Sequence, residues 1–209
     1  MRRCKRKIVR QFEKRGGSSG NVGGSGNNDM TPDFSSNDTK IGQFTVLASR
    51  DVIPSQQQAW MTTYDEIIPE FLSDDIQETF LDNLSIGRSL LETVSTNPNS
   101  IRAVQDSDGN MQAAASITIR SNTIYLDLLA TAPWNITRDD SRSVRGAARA
   151  LVAAIVRESI RIGKNGQVEL FSLTGSEPFY ESIGFRPTPD GNHFLSAEAA
   201  RRFISLFED

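Results

Sequence analysis

The sequence predicts a mixed α/β domain behind a polar tail, and three observations predict it. From residue 16 to about residue 39 the chain is mostly Gly, Ser, Asn and Asp, with too little apolar surface to offset the entropy of ordering. Further on, three strand-like segments follow one another across short turns at 108–110 and 121–122, the signature of an antiparallel meander. Segments with helical spacing lie on either side of that meander in the chain. The predicted order is β-αα-βββ-α-β-α-β-α, with the tail over residues 1–40 and the domain over residues 41–209.

Residues 44–48 read as the first strand. Pro54 opens a helix where its missing N–H costs little, and Trp60, Tyr64, Ile67 and Ile68 share one apolar face of it. Ser73, followed by Asp74 and Asp75, caps a second helix, which Ile76, Phe80 and Leu84 continue. These aromatic side chains read as core. Residues 101–105, 112–120 and 123–131 form the meander, and Pro133 ends it. After a polar loop, a helix rich in Ala, Leu, Val and Ile runs from Val144 to about Ile162. Arg157, Arg161 and Lys164 suit its negative end, and Gly163 or Gly166 can stop it. A fifth strand over 168–173, a short helix through Tyr180, a strand at 193–195 and a helix over 196–207 complete the domain.

Composition excludes several chemistries. The 209 residues are 23% charged and 37% apolar, an ordinary balance for a globular chain. No apolar run approaches the ~18 residues of a membrane-spanning helix, so no membrane partner is expected, and no apolar stretch follows the basic N-terminus as a secretory signal requires. With Cys4 alone, an intrachain disulfide or a cysteine zinc site is excluded, and a cytoplasmic location is expected. With His193 alone, zinc centres built on two or three histidines are excluded. No G-x-S-x-G elbow accompanies it, so His193 reads as a strand-end residue, and no metal is expected. Residues 1–15 hold eight Lys and Arg against Glu13, whereas the remainder holds 15 basic and 25 acidic residues. A basic leader of this kind invites nucleic acid or an anionic membrane; its plainer reading is a solvated extension.

Two segments carry chemistry. LDLLATAPWN, residues 126–135, is an apolar strand ending at a proline, and RGAARAL, residues 145–151, opens the long helix. Small residues at a helix start let backbone N–H groups approach an anion, which the helix dipole favours. Arg142, Arg145 and Arg149 add positive charge. The same residues also suit close helix–sheet packing, and neither a phosphate-binding G-x-x-x-x-G-K-[ST] loop nor a dinucleotide G-x-G-x-x-G fingerprint is present. In FYESIGF, residues 179–185, Gly184 can end a short helix, and Tyr180 is either a packing residue or a proton donor whose ordinary pKa near 10 keeps it neutral.

Together these segments resemble the GNAT superfamily of N-acetyltransferases. Its Q/R-x-x-G-x-G/A motif is matched at Gly146 and Ala148, with Ser143 at the first position. Its A-x-x-[LF]-Y-x-x-x-G-F run is matched by SEPFYESIGF, residues 176–185. The resemblance covers roughly residues 101–186. It implies a mostly antiparallel sheet of six or seven strands flanked by helices, and transfer of an acetyl group from acetyl-CoA to an amine of a small molecule or a protein. It further implies that the strand before the long helix and the strand after it splay apart. Leu128, Leu129, Ala130 and Thr131 would then line the thioester arm, while Val144, Arg145, Gly146, Ala147, Ala148 and Arg149 hold the pyrophosphate. A backbone N–H near Leu129 would stabilise the oxyanion, Tyr180 would protonate the leaving thiolate, and Asp127 is the candidate base. Asp127 otherwise reads as a solvent-facing or loop-capping residue. Trp60, Tyr64, Asp65, Glu66 and Glu70 are candidate acceptor contacts, and a monomer or homodimer is expected. The other readings are a coenzyme-binding regulator without turnover and a nucleic-acid-tethered module.

Overall fold

Short turns between alternating segments do build a meander, and the two faces of that meander decide where the helices sit. The computed structural model describes residues 40–47, 53–67, 73–137, 140–173 and 175–208. The expectations for residues 1–39, Ile68 and Glu70 therefore lie outside the described residues. Strands β1 (Lys40–Ile41), β2 (Phe44–Leu47), β3 (Ile101–Gln105), β4 (Met111–Ile119), β5 (Ile124–Thr131), β6 (Val168–Leu170), β7 (Arg186–Pro187) and β8 (His193–Leu195) form one sheet in the order β1-β2-β3-β4-β5-β6-β8-β7. Neighbours are antiparallel except β5 and β6, which are parallel. Helices α1 (Ile53–Glu66), α2 (Asp74–Thr96), α3 (Pro133–Thr137), α4 (Ala147–Arg161), α5 (Glu177–Ser182) and α6 (Ala197–Ile204) complete the fold. This is a mixed α/β fold with a mostly antiparallel open sheet, in the predicted order. Two-residue strands at the sheet's two edges extend it to eight.

Strand β4 shows why the sheet is sandwiched. Residues 111–117 are all buried, a pattern that requires cover on both faces. Ala113, Ala115 and Ile117 pack with Leu151, Ile155 and Val156 of α4, while Ala114 joins Trp60, Tyr64, Phe80 and Leu90 of α1 and α2. The first face also carries a buried two-pronged ion pair. Arg102 donates from Nε and an amino group to the two carboxylate oxygens of Glu158, both at 2.6 Å, tying β3 to α4. On the other face, Gly87 interrupts α2 at a cost of about 1 kcal/mol against Ala. A Cβ there would stand 3.2 Å from the Tyr64 ring, so glycine lets α1 and α2 close up.

Four features differ from the sequence expectation. The polar loop after Pro133 begins with α3, because Trp134 is buried and donates to Gln112 Oε1 at 3.0 Å. The long helix starts at Ala147 rather than Val144, since Gly146 stands before it with φ +91°. Ser73 precedes α2 without a side-chain capping bond. Finally, the fifth strand stops at Leu170 instead of residue 173.

Candidate active site

The site arises where β5 loses its neighbour. The parallel pairing with β6 covers only Ile124, Tyr125 and Leu126, whereas β5 continues beside β4 to Thr131. A bulge starts the divergence: Ser116 faces Leu128, the next β4 residue Ile117 faces Leu126, and Asp127 is the extra residue. The bulge also exchanges faces. Leu126 packs in the α4 core, while Leu128 and Ala130 pack with α1 and α2. Leu126 and Leu128 therefore do not share the face that simple alternation assigns them.

The register shows which backbone groups look into the gap. The Ala132 N–H donates to Gln112 O at 3.0 Å, so Ala130 and Ala132 turn their amides towards β4. Leu129 and Thr131 turn theirs the other way, onto the edge that β6 has left. Across the gap, Phe171 and Leu173 are exposed while Leu170 and Ser172 are buried; Ser172 contacts His193 of β8 at 3.1 Å. The resemblance implied that these two strands splay apart; their pairing ends at Leu126 and Leu170.

Beyond β5 and α3 the chain enters α4. The first bond of that helix runs from the Ala150 N–H to Gly146 O, 2.9 Å, so the earlier N–H groups have no helical acceptor. No side chain caps them, and no acidic residue lies in the first turn. Arg145 and Arg149 are exposed beside this turn, and an Arg149 amino group lies 3.4 Å from Ser182 Oγ of α5. The arrangement can accept an anionic group.

The loop feeding that turn is held by a buried amide. Gln112 Nε2 donates to Asp106 Oδ2 at 2.5 Å and to Arg142 O at 3.0 Å, and Gln112 Oε1 accepts from Trp134 Nε1 and from Asn135 Nδ2. Asn135 Oδ1 in turn accepts the Val144 N–H at 2.8 Å. Two expectations change as a result. Val144 has no amide left for a pyrophosphate. Arg142 does not stand free either: it pairs with Asp140 at 2.5 Å and lies over the Trp134 ring at 4.3 Å.

The two expected proton carriers occupy different surroundings. Tyr180 packs in the α4 core with Ala147, its ring edge-on to Phe179 and Phe185 at 5.0 and 5.6 Å. Burial pushes its pKa up to about 12, so the phenol keeps its proton. Asp127 stands exposed at the bulge and accepts a bond from Thr118 Oγ at 2.8 Å. Desolvation raises its pKa above the usual carboxylate value, with Thr118 and Arg120 opposing that shift. Of the expected acceptor contacts, Trp60 and Tyr64 are core residues: the Trp60 N–H donates to Met111 O at 2.8 Å, and Tyr64 is bonded to Asn83. Asp65 and Glu66 remain exposed at the end of α1. Asn83, Gln112 and Asn135 were missed from sequence, because an isolated Asn or Gln carries no spacing signal. Among the described residues no cluster of candidate metal ligands occurs, and no helix is long and apolar enough to cross a membrane.

The site is thus a β5 edge paired on one side only, with an uncapped helix start nearby. Among solved structures the chain is similar to the PaiA N-acetyltransferase from Thermoplasma acidophilum in complex with coenzyme A. That likeness has 14% identity, covers 72% of this chain and 96% of that one, and has a TM-score of 0.40. It is similar also to a GNAT-family acetyltransferase from Listeria monocytogenes, with 11% identity over 72% of this chain and 92% of that one and a TM-score of 0.43. A third similar structure is a mutant AtaT toxin bound to the C-terminus of the antitoxin AtaR and acetyl-CoA. Its identity is 16% over 56% of this chain and 84% of that one, with a TM-score of 0.37. No family model and no curated protein matches the sequence.

Proposed function

We propose that this chain is an N-acetyltransferase that takes an acetyl group from acetyl-CoA and passes it to a primary amine. The observation that carries this reading is the one-sided pairing of β5 beyond Leu126, with the uncapped first turn of α4 nearby. A diphosphate suits amides at a helix start, and an amide-bearing arm suits an unpaired strand edge. The small side chains of Ala147 and Ala148, and the absence of acids from that turn, fit such a ligand.

On this reading the amides of Arg145, Gly146, Ala147 and Ala148 hold the pyrophosphate, and Arg149 adds charge at its rim. The β5 edge over residues 128–131 lines the arm through the backbone of Leu129 and Thr131, with the Leu129 N–H turned towards the thioester oxygen, where negative charge develops on attack. Acetyl-CoA supplies an activated acyl group with a thiolate leaving group. Asp127 takes the proton that a cationic amine must lose before it attacks, directly or through water. Tyr180 gives its phenolic proton to the departing sulfur and is reprotonated by the second proton that the acylated nitrogen sheds. Asp65 and Glu66 add negative charge at the end of α1, which favours a cationic acceptor. A cytoplasmic setting belongs to the same proposal.

Thiol release from acetyl-CoA, measured against polyamines, aminoglycosides, amino acids and N-terminal peptides, tests the proposal. Amine-dependent release with at least one class supports it. Coenzyme binding with no release across the panel favours the second reading, a coenzyme-binding regulator, for which the departure at Ser143 is the motivating observation.

A further inference from the structure

One residue outside the expected machinery sits on the open edge of β5. Thr131 turns both backbone groups away from β4, and one side chain takes both of them. Its N–H donates to Asn83 Oδ1 at 3.1 Å, and Asn83 Nδ2 donates to Thr131 O at 2.7 Å. The carboxamide thus behaves as a one-residue strand paired with β5. It is itself anchored: Asn83 Nδ2 also donates to the Tyr64 hydroxyl at 2.6 Å, and that hydroxyl lies 3.3 Å from Asn83 O. The Tyr64 ring is wedged edge-on against Phe80 at 5.6 Å and against Gly87. Beyond the bulge, Leu129 and Thr131 are the two β5 residues whose backbone faces the gap, and Asn83 leaves Leu129 alone available.

We infer that Asn83 closes the end of the slot and competes with the ligand for Thr131, so that full seating of an amide-bearing arm displaces its carboxamide. The inference rests on the coenzyme reading above. The pantetheine arm of coenzyme A contains two amide groups, and an arm whose thioester lies at the Leu129 N–H and whose amides follow the edge towards α4 passes the backbone that Asn83 occupies. An asparagine amide and a ligand amide offer the same donor and acceptor, so one replaces the other without leaving Thr131 unpaired. The swap frees Asn83 from Thr131 on one side while Tyr64 holds it on the other. Seating of the arm is thereby coupled to the α1–α2 face, where the acceptor amine is expected. Affinity for the arm is the intrinsic affinity multiplied by the fraction of time the edge is open.

Calorimetric titration of the intact chain with coenzyme A, and with adenosine 3′,5′-bisphosphate as a fragment lacking the arm and the outer phosphate of the pyrophosphate, tests this. Asn83→Ala is expected to tighten coenzyme A binding about tenfold and to leave the bisphosphate unchanged. Unchanged or weaker coenzyme A binding in a folded Asn83→Ala protein overturns the inference and leaves the coenzyme reading standing. A wild type that binds neither ligand overturns both. Should the variant fail to fold, the wild type still decides. The side-chain NH2 resonances of Asn83 are expected to move on saturation with coenzyme A and to stay still with the bisphosphate. Resonances that stay still with both overturn the displacement.

Discussion

At the scale of the residue, environment sets the two proton carriers apart. Burial holds Tyr180 near 12, so it is a phenol throughout the working range, a weaker acid than a thiol but with a proton in place as the C–S bond breaks. Tyr180→Phe keeps the ring packing against Phe179 and Phe185 while removing that proton. It should lower kcat by about 100-fold or more with coenzyme binding retained, by steady-state kinetics and calorimetry; an unchanged kcat would remove Tyr180 from the mechanism. Asp127 works in the opposite sense, because a base must be deprotonated. Its raised pKa predicts that kcat/KM falls as pH drops through that value, and that Asp127→Asn abolishes this acid limb. The same shift fixes the sign of its effect on stability. A carboxyl whose folded pKa exceeds its unfolded one favours the fold below the unfolded value and loses that contribution as pH rises through the folded one. Asp127→Asn is therefore expected to raise the thermal midpoint slightly at neutral pH while lowering activity. A variant with lower stability there would contradict this account of Asp127.

At the scale of the element, the start of α4 and its seat on β3 lend themselves to separate tests. Gly146 has φ +91°, and the nearest atom to a Cβ added there is a Phe44 ring carbon at 4.0 Å. Space is not the constraint; the left-handed backbone is. Gly146→Ala should cost about 1–2 kcal/mol and weaken coenzyme binding, because relaxing the backbone turns the first-turn amides away from the ligand. Urea unfolding and calorimetry read the two effects separately. The Arg102–Glu158 pair lies outside the proposed site. Glu158→Gln removes the counter-charge of a buried guanidinium that keeps its bonds to Asn99 O and Ile101 O, and should cost about 3–5 kcal/mol, seen as a lower urea midpoint. A near-zero cost would mean that water reaches Arg102 in the variant.

At the scale of the whole molecule, some of the architecture was legible in the sequence and some was not. Asp108, Gly109 and Asn110 announced a turn because Gly109 takes φ +83° there, and the apolar faces at Trp60, Tyr64 and Phe80 marked helices that do pack on the sheet. The two-residue strands at 40–41 and 186–187 are too short for any periodicity. The end of β6 at Leu170 was hidden, since Phe171 and Leu173 continue an apolar pattern even where they face solvent. The gap itself could be expected only from the resemblance at residues 145–151 and 176–185. What the resemblance could not supply is the set of polar partners that edit the site. Asn135 takes the Val144 amide and Asn83 takes Thr131, the latter across 48 residues of sequence. Such pairs exist only once the chain has folded.

The central claim is that amides at the start of α4 and on the open edge of β5 receive coenzyme A. Backbone amide resonances followed during a titration of the whole chain with coenzyme A test it most directly. The signals of Leu129, Gly146, Ala147 and Ala148 are expected to move together and saturate, while that of Val144, held by Asn135, moves least. Saturable binding that leaves those four signals in place and shifts another surface instead would contradict the account.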